Sequence, residues 1–157
     1  MHPVTQAVLI ALQIFVVLFV GLHNWIPLGS LNDVKGAHAA FPGWKLFTTT
    51  LINVIPFSFG LVASVIYFGR PFPPWLLWWL WISYALASYG SLKAWWIPYL
   101  VSPNPDLAAR YKKKMYRATH SFLPERNGIT PNTLHVILDA ATSALLIDLA
   151  VLTAQPR

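Results

Sequence analysis

The stretch that decides the fold is residues 74–96, PWLLWWLWISYALASYGSLKAWW. It holds a single charged residue, Lys93, and tryptophans crowd both of its ends. Trp75 and Trp96 would lie about 30 Å apart on an α-helix, which rises 1.5 Å per residue, and this distance matches the hydrocarbon core of a bilayer. Because tryptophan prefers the headgroup zones on either side of that core, the stretch predicts a transmembrane helix.

Three further apolar stretches accompany this one. Together they predict helices over about residues 4–25, 44–68, 74–96 and 131–153. Only 10% of the 157 residues are charged, whereas a soluble domain carries about 25%. Each crossing needs roughly 20 residues, so four crossings and their loops use the chain. We therefore expect a single transmembrane domain over residues 1–157, an all-α integral membrane four-helix bundle.

The positive charges divide unequally between the two sides of this arrangement. Of the 11 Lys and Arg residues, only Arg70 and Arg157 fall on one side. The remaining nine fall on the side that the chain reaches after the first stretch and again after the third: Lys35, Lys45, Lys93, Arg110, Lys112, Lys113, Lys114, Arg117 and Arg126. The positive-inside rule then places both termini outside the cytoplasm, as expected for a bacterial inner-membrane protein. The net charge of +6 favours anionic lipid over nucleic acid as the partner.

The connection between the third and fourth stretches predicts an interfacial helix over about residues 104–122. Asn104, Pro105 and Asp106 form a helix start. An apolar face follows at helical spacing, made by Leu107, Tyr111, Met115, Ala118 and Phe122. Arg110, Lys113, Lys114 and Arg117 fall on another face. This pattern is typical of a basic amphipathic helix in the headgroup layer, so anionic lipid is expected along Arg110 to Arg117. Guidance of a phosphorylated substrate is the functional alternative.

The fourth stretch carries polar residues that hydrocarbon does not accept. They form one stripe at helical spacing, Asn132, His135, Asp139, Thr142 and Ser143. An ionised carboxylate inside a membrane costs several kcal/mol unless it is paired, so Asp139 should face the bundle interior. His135 and Asp139 are four residues apart, which allows a direct hydrogen bond. Such a pair would serve as a general base or proton relay; a polar link between helices is the structural alternative.

Two local contacts are also expected near the ends of this fourth helix. Thr130 is a suitable N-cap, with Pro131 as the first helical residue. Asp148 lies nine residues beyond Asp139 and therefore points to the opposite face. Since Arg70 is expected at the same outer end, we predict a structural ion pair between Asp148 and Arg70.

These observations predict a polar binding or catalytic pocket at the cytoplasmic membrane interface, acting on a lipid-like or amphipathic molecule. The catalytic candidates are His135, as base, and Asp139, which would orient it. The ligand-binding candidates are His23, Asn24, Asp33, Lys93, Glu125 and Arg126. Among them, Lys93 and Arg126 would hold an anionic group. The residues alone leave open whether the chain is an enzyme.

Alternatives from other functional classes remain. The chain could be a non-enzymatic subunit or assembly factor of a larger membrane complex, a partner in a homodimer, or a small proton-coupled transporter using Asp139. The absence of cysteine excludes disulfides and thiolate sites. We expect no cofactor and no metal, because the usual ligand spacings are absent. A metal held by His23, His120, Glu125, His135 and Asp139, or a haem between His23 and His135, is the alternative.

Overall fold

The computed structural model describes residues 3–106, 108–109 and 119–154. This part of the chain is helical, with α1 Pro3–Leu22, α2 Val34–Ala40, α3 Gly43–Ile66, α4 Pro74–Ser91, α5 Ile97–Leu100 and α6 Thr133–Ala154. A 3₁₀ turn spans Gly29–Leu31, and a π-helical stretch, Leu92–Trp96, joins α4 to α5. No strand occurs among the described residues, which contain one isolated β-bridge between Arg126 and Ile129. The basic segment Arg110 to Arg117 lies outside the described residues.

Three helices are long and apolar enough to cross a membrane: α1, α3 and α6. This confirms the all-α prediction and the apolar character of the first, second and fourth stretches. The 18-residue α4 is absent from that set because its four tryptophans and two tyrosines lower its mean hydropathy. These residues are nevertheless typical of the two interfacial ends of a membrane helix.

The four long helices pack in a ring. α1 lies against α3 and α6, and α4 closes the ring by packing against the same two helices. The core between them is aliphatic, and its fully buried members include Leu9, Leu76, Leu80, Leu145 and Leu149. Gly60 permits the approach of α3 to α4, since a Cβ there would lie 2.9 Å from the Leu80 side chain. The outward faces are rich in exposed large apolar side chains.

Two buried glutamines of α1 tie it to the end of α3. The Gln6 amide donates to the Arg70 carbonyl at 2.7 Å and accepts from the Gly69 backbone N–H at 2.8 Å. Two helical turns further along α1, Gln13 Nε2 donates to Ser64 Oγ at 3.0 Å. Both glutamines are fully buried. Their hydrogen bonds join α1 to the end of α3 without any charged side chain, so the two glutamines act as links between helices.

Loops cover the opposite end of the ring. Asn32 ends α1, because its amide donates to the carbonyls of His23 and Ile26 at 2.6 and 2.8 Å. From the segment 119–132, the His120 backbone N–H donates to the Ser30 carbonyl at 2.6 Å. Asn127, with φ 57° in the left-handed region, donates its side-chain amide to the backbone of α5. These bonds hold the covering loops against the residues described next.

Candidate functional site

Asn132 positions His135 at the start of α6. Its side-chain oxygen accepts the His135 backbone N–H at 2.9 Å and lies 2.6 Å from His135 Nδ1. Because an amide oxygen only accepts, His135 Nδ1 donates in this contact. α6 therefore begins at Thr133, with the nearly fully buried Asn132 as its cap. The expected cap, Thr130, lies two residues too early.

His23 approaches His135 from the end of α1. Its Nδ1 donates to the Phe19 carbonyl at 2.9 Å, and its ring stacks on Phe19. The His23 and His135 rings meet edge to face, with centroids 6.2 Å apart. Burial lowers the pKa of His23 below its ordinary value, although the backbone hydrogen bonds of Phe19 and Val20 act in the opposite direction. The two histidines thus share a water-poor environment at this end of the ring.

Asp139 is held by the helix opposite it. Its Oδ1 accepts from Ser91 Oγ at 2.6 Å, and its Oδ2 accepts from Trp96 Nε1 at 2.8 Å. Both distances fall in the range of charge-assisted hydrogen bonds. His135 is not among the partners of Asp139 in the described residues, so the direct pair predicted from their spacing is not formed. The predicted inward direction of Asp139 agrees with its contacts to α4 and the π-helical stretch.

The π-helical stretch explains how two consecutive tryptophans reach α6. Trp95 packs against the His135 ring with centroids 4.3 Å apart, while Trp96 donates to Asp139. A π-helical turn adds a residue to the helical repeat and changes the direction of the side chains that follow it. Such turns are frequent at functional sites. Here the turn brings both indoles into contact with the part of α6 that carries His135 and Asp139.

A cavity of about 110 Å³ lies between α1, α3, α4 and α6 beside these residues. Its polar wall consists of Ser88, Ser91, His135, Asp139 and Thr142. Its apolar wall includes Val16, Val20, Phe57, Trp95 and Leu138. The Ser88 hydroxyl is buried and has no hydrogen-bond partner, which is unusual for a buried polar group. We call this space the His–Asp cavity.

A second, smaller chamber of about 20 Å³ lies on the other side of His135. His135 is the one ionisable residue among those that line both spaces. The remaining polar lining of the chamber is His23, Asn24, Asn32, Asp33 and Asn132. A volume of this size accommodates about one water molecule when polar partners surround it. The chamber therefore suits a single bound water between the two histidines.

The candidate residues from the sequence fall into three groups. His135 and Asp139 line the His–Asp cavity, whereas His23, Asn24 and Asp33 line the small chamber with His135. Asp33 additionally caps α2 by accepting the Gly36 backbone N–H. The third group, Lys93, Glu125 and Arg126, is exposed and lines neither space.

Two further expectations meet the structure here. Asp148 forms no ion pair with Arg70 in the described residues, and its buried Oδ2 has no hydrogen-bond partner. That prediction was wrong. The contact that the structure shows at Arg70 is instead between its backbone carbonyl and the Gln6 side chain of α1. No three His, Asp or Glu side chains among the described residues gather as metal ligands, so the five-residue metal alternative is not assembled there.

Sequence reasoning did not assign to the site the residues that α4 and the π-helical stretch contribute. Ser88 and Ser91 resemble the small residues of close helix packing, and Trp95 and Trp96 resemble an interfacial belt. A usable signal was present nonetheless: a buried indole N–H needs an acceptor, and Asp139 is the acceptor at the matching depth of the bundle.

In comparisons with protein-family models, with curated proteins and with solved structures, nothing matches this chain.

Proposed function

We propose that this chain is a polytopic membrane protein whose His–Asp cavity binds the polar end of a lipid-like or other amphipathic molecule. In this proposal α1, α3, α4 and α6 all cross the bilayer as a four-helix bundle. The apolar outer faces of the ring support it, since large aliphatic and aromatic side chains are exposed along α1, α3 and α4. Lipid is the solvent that such faces require.

The proposed orientation places the His–Asp cavity at the cytoplasmic interface. Lys35 and Lys45 follow α1, and Lys93 lies in the π-helical stretch, all at the end of the ring that carries the cavity. Only Arg70 among the described cations lies at the opposite end, in the connection from α3 to α4. With the basic end in the cytoplasm, both termini would lie outside it, in a bacterial inner membrane.

The observation that carries the proposal is the cavity itself. A carboxylate, an imidazole and two serine hydroxyls surround a space that an apolar core would otherwise fill. Protein interiors are close-packed, and polar groups inside a membrane are expensive and mark functional paths by default. The charged and hydrogen-bonding groups therefore suit a polar headgroup, and the apolar walls suit the first carbons of its chain.

The chemical roles follow from the positions of these groups. His135 lines the cavity, where an imidazole is a suitable general base or hydrogen-bonding group for a ligand. Asn132, in place of Asp139, orients the ring. Asp139 would then contact the ligand directly, with Ser91 and Trp96 holding it in place. A catalytic use of His135 as a base remains a hypothesis within this proposal.

Native mass spectrometry of the protein extracted with its lipids tests the proposal. The wild type should retain an amphipathic species that His135→Ala and Asp139→Ala both lose. Ser143→Ala, an exposed position on the same helix, is the matched control and should retain it. Circular dichroism would verify that every variant keeps its helices. Equal retention by both cavity variants and the control would contradict the proposal.

A second candidate, proton-coupled transport, is favoured by one observation. Buried polar groups continue from the cavity toward the other end of the ring, at Ser88, Tyr84, Ser64, Gln13 and Gln6. Such a series is unexpected in a purely structural core. Purified protein in liposomes with an imposed pH gradient would test it. Proton flux that disappears in Asp139→Asn supports transport, and the absence of any flux above that of empty liposomes removes it.

A further inference from the structure

The His–Asp cavity carries one fixed negative charge. Among the described residues, Asp139 is the only carboxylate that lines it, and no Lys or Arg does. Among the described residues the carboxylate accepts two hydrogen bonds and forms no ion pair. A carboxylate has about four lone-pair positions, so two remain for a ligand. Within the part of the chain that the structure describes, the carboxylate of Asp139 therefore has no cation beside it.

The walls around this charge favour a cation over other ligands. Phe57 and Trp95 line the cavity, with Phe57 stacked on Tyr84 and Trp95 packed against His135; a ring face that remains toward the cavity would attract an ammonium group. Val16, Val20 and Leu138 supply apolar surface for carbons attached to such a group. The volume of about 110 Å³ equals that of roughly three to four liquid waters. It accommodates an ammonium group with its nearest carbons.

Compensation of the charge decides the class of ligand. An anionic group beside Asp139 would add repulsion in a medium where charges are weakly screened. A neutral group would leave the carboxylate uncompensated at the membrane interface, which is unfavourable. Resting on the proposed function, we propose that the group bound in the His–Asp cavity is an ammonium carried by an alkyl chain, held by Asp139. Lys93 and Arg126, expected to hold an anionic group, lie outside the cavity.

Three ten-carbon probes that differ only in their polar end test this inference. Decylamine is cationic at neutral pH, decanol is neutral and decanoate is anionic. Isothermal titration into wild-type protein in a neutral detergent should give decylamine an affinity at least tenfold above that of decanol, with decanoate weakest. Asp139→Asn should lose this preference. Asp148→Asn, the same substitution on the same helix away from the cavity, should keep it.

The outcomes separate this inference from the proposed function. Equal affinity for decylamine and decanol in the wild type, a comparison that needs no variant, overturns the ammonium assignment. So does a preference that persists in Asp139→Asn. If decanol or decanoate binds instead and His135→Ala removes that binding, the proposed function survives without its cation. If none of the three probes binds, the proposed function fails as well.

A second experiment separates the two sources of an ammonium group. Nanodiscs that contain phosphatidylethanolamine, compared with nanodiscs of phosphatidylglycerol, would test a lipid headgroup. Ethanolamine added to the phosphatidylglycerol nanodiscs would test a water-soluble amine. Protection of the wild type against thermal unfolding by one of these, absent in Asp139→Asn, identifies the source. Protection by neither, alongside equal binding of the ten-carbon probes, counts against the ammonium assignment.

Discussion

The hydrogen bond from Trp96 to Asp139 makes a quantitative prediction, because it joins the π-helical stretch to α6. Its length of 2.8 Å lies within the charge-assisted range. Hydrogen bonds between membrane helices contribute about 0.6 kcal/mol on average and at most about 1.7. A charge-assisted bond should lie in the upper half of that range, so we expect a coupling energy of about 1 to 1.5 kcal/mol.

A double-mutant cycle with Trp96→Phe and Asp139→Leu measures this coupling. Phenylalanine keeps an aromatic ring but removes the N–H donor, and leucine keeps the branched shape of aspartate, with a larger volume, while removing the acceptor. Unfolding in detergent micelles by titrated dodecyl sulfate gives the free energies. Trp79→Phe is the matched control, because the Trp79 indole donates to the Pro56 carbonyl instead. A coupling below about 0.3 kcal/mol, or one equal to the Trp79 control, would refute the reasoning.

Three further predictions concern the surroundings of this bond. Ser64→Ala leaves the buried Gln13 amide without its side-chain acceptor and should cost about 0.6 to 1.7 kcal/mol in the same unfolding titration; unchanged stability would mean that the α1–α3 link is unimportant. Asn132→Ala removes the cap of α6 and should cost about 0.5 to 2 kcal/mol, whereas Asn132→Asp should retain the cap, so equal losses in the two variants would count against it. Burial lowers the pKa of His23, so its contribution to stability is full above the unfolded value of about 6.5 and is lost as the pH falls below it. His23→Gln should therefore lose less thermal stability than the wild type between about pH 7.5 and pH 5.5, and identical pH profiles would contradict this.

The sequence predicted the long helices because apolar length is a local property. The stretch expected over about 44–68 is α3, Gly43–Ile66, and the fourth stretch is α6, Thr133–Ala154. The helix expected over 74–96 continues as α4 and then changes to the π-helical stretch at Leu92. This change depends on how the indoles of Trp95 and Trp96 fit against α6, which no local pattern encodes.

The partners of each polar side chain were harder to predict for a related reason. Spacing along one helix shows which residues share a face, but it does not give the rotation of the neighbouring helix. His135 and Asp139 could reach each other, yet Asn132 and Trp96 lie closer in the folded chain. The same limitation explains why the ion pair predicted between Arg70 and Asp148 is not formed. The sequence does not give the rotation of α6 relative to the segment that carries Arg70.

The location of a bound ligand tests the central claim most directly. A decylamine that carries a photoreactive diazirine on a chain carbon close to, but not bonded to, its amine nitrogen can be crosslinked to the wild-type protein in micelles and mapped by mass spectrometry. The account predicts adducts on the cavity wall, at Ser88, Leu138 and Thr142. Adducts confined to the exposed outer faces, at residues such as Trp78 and Ile147, would contradict it.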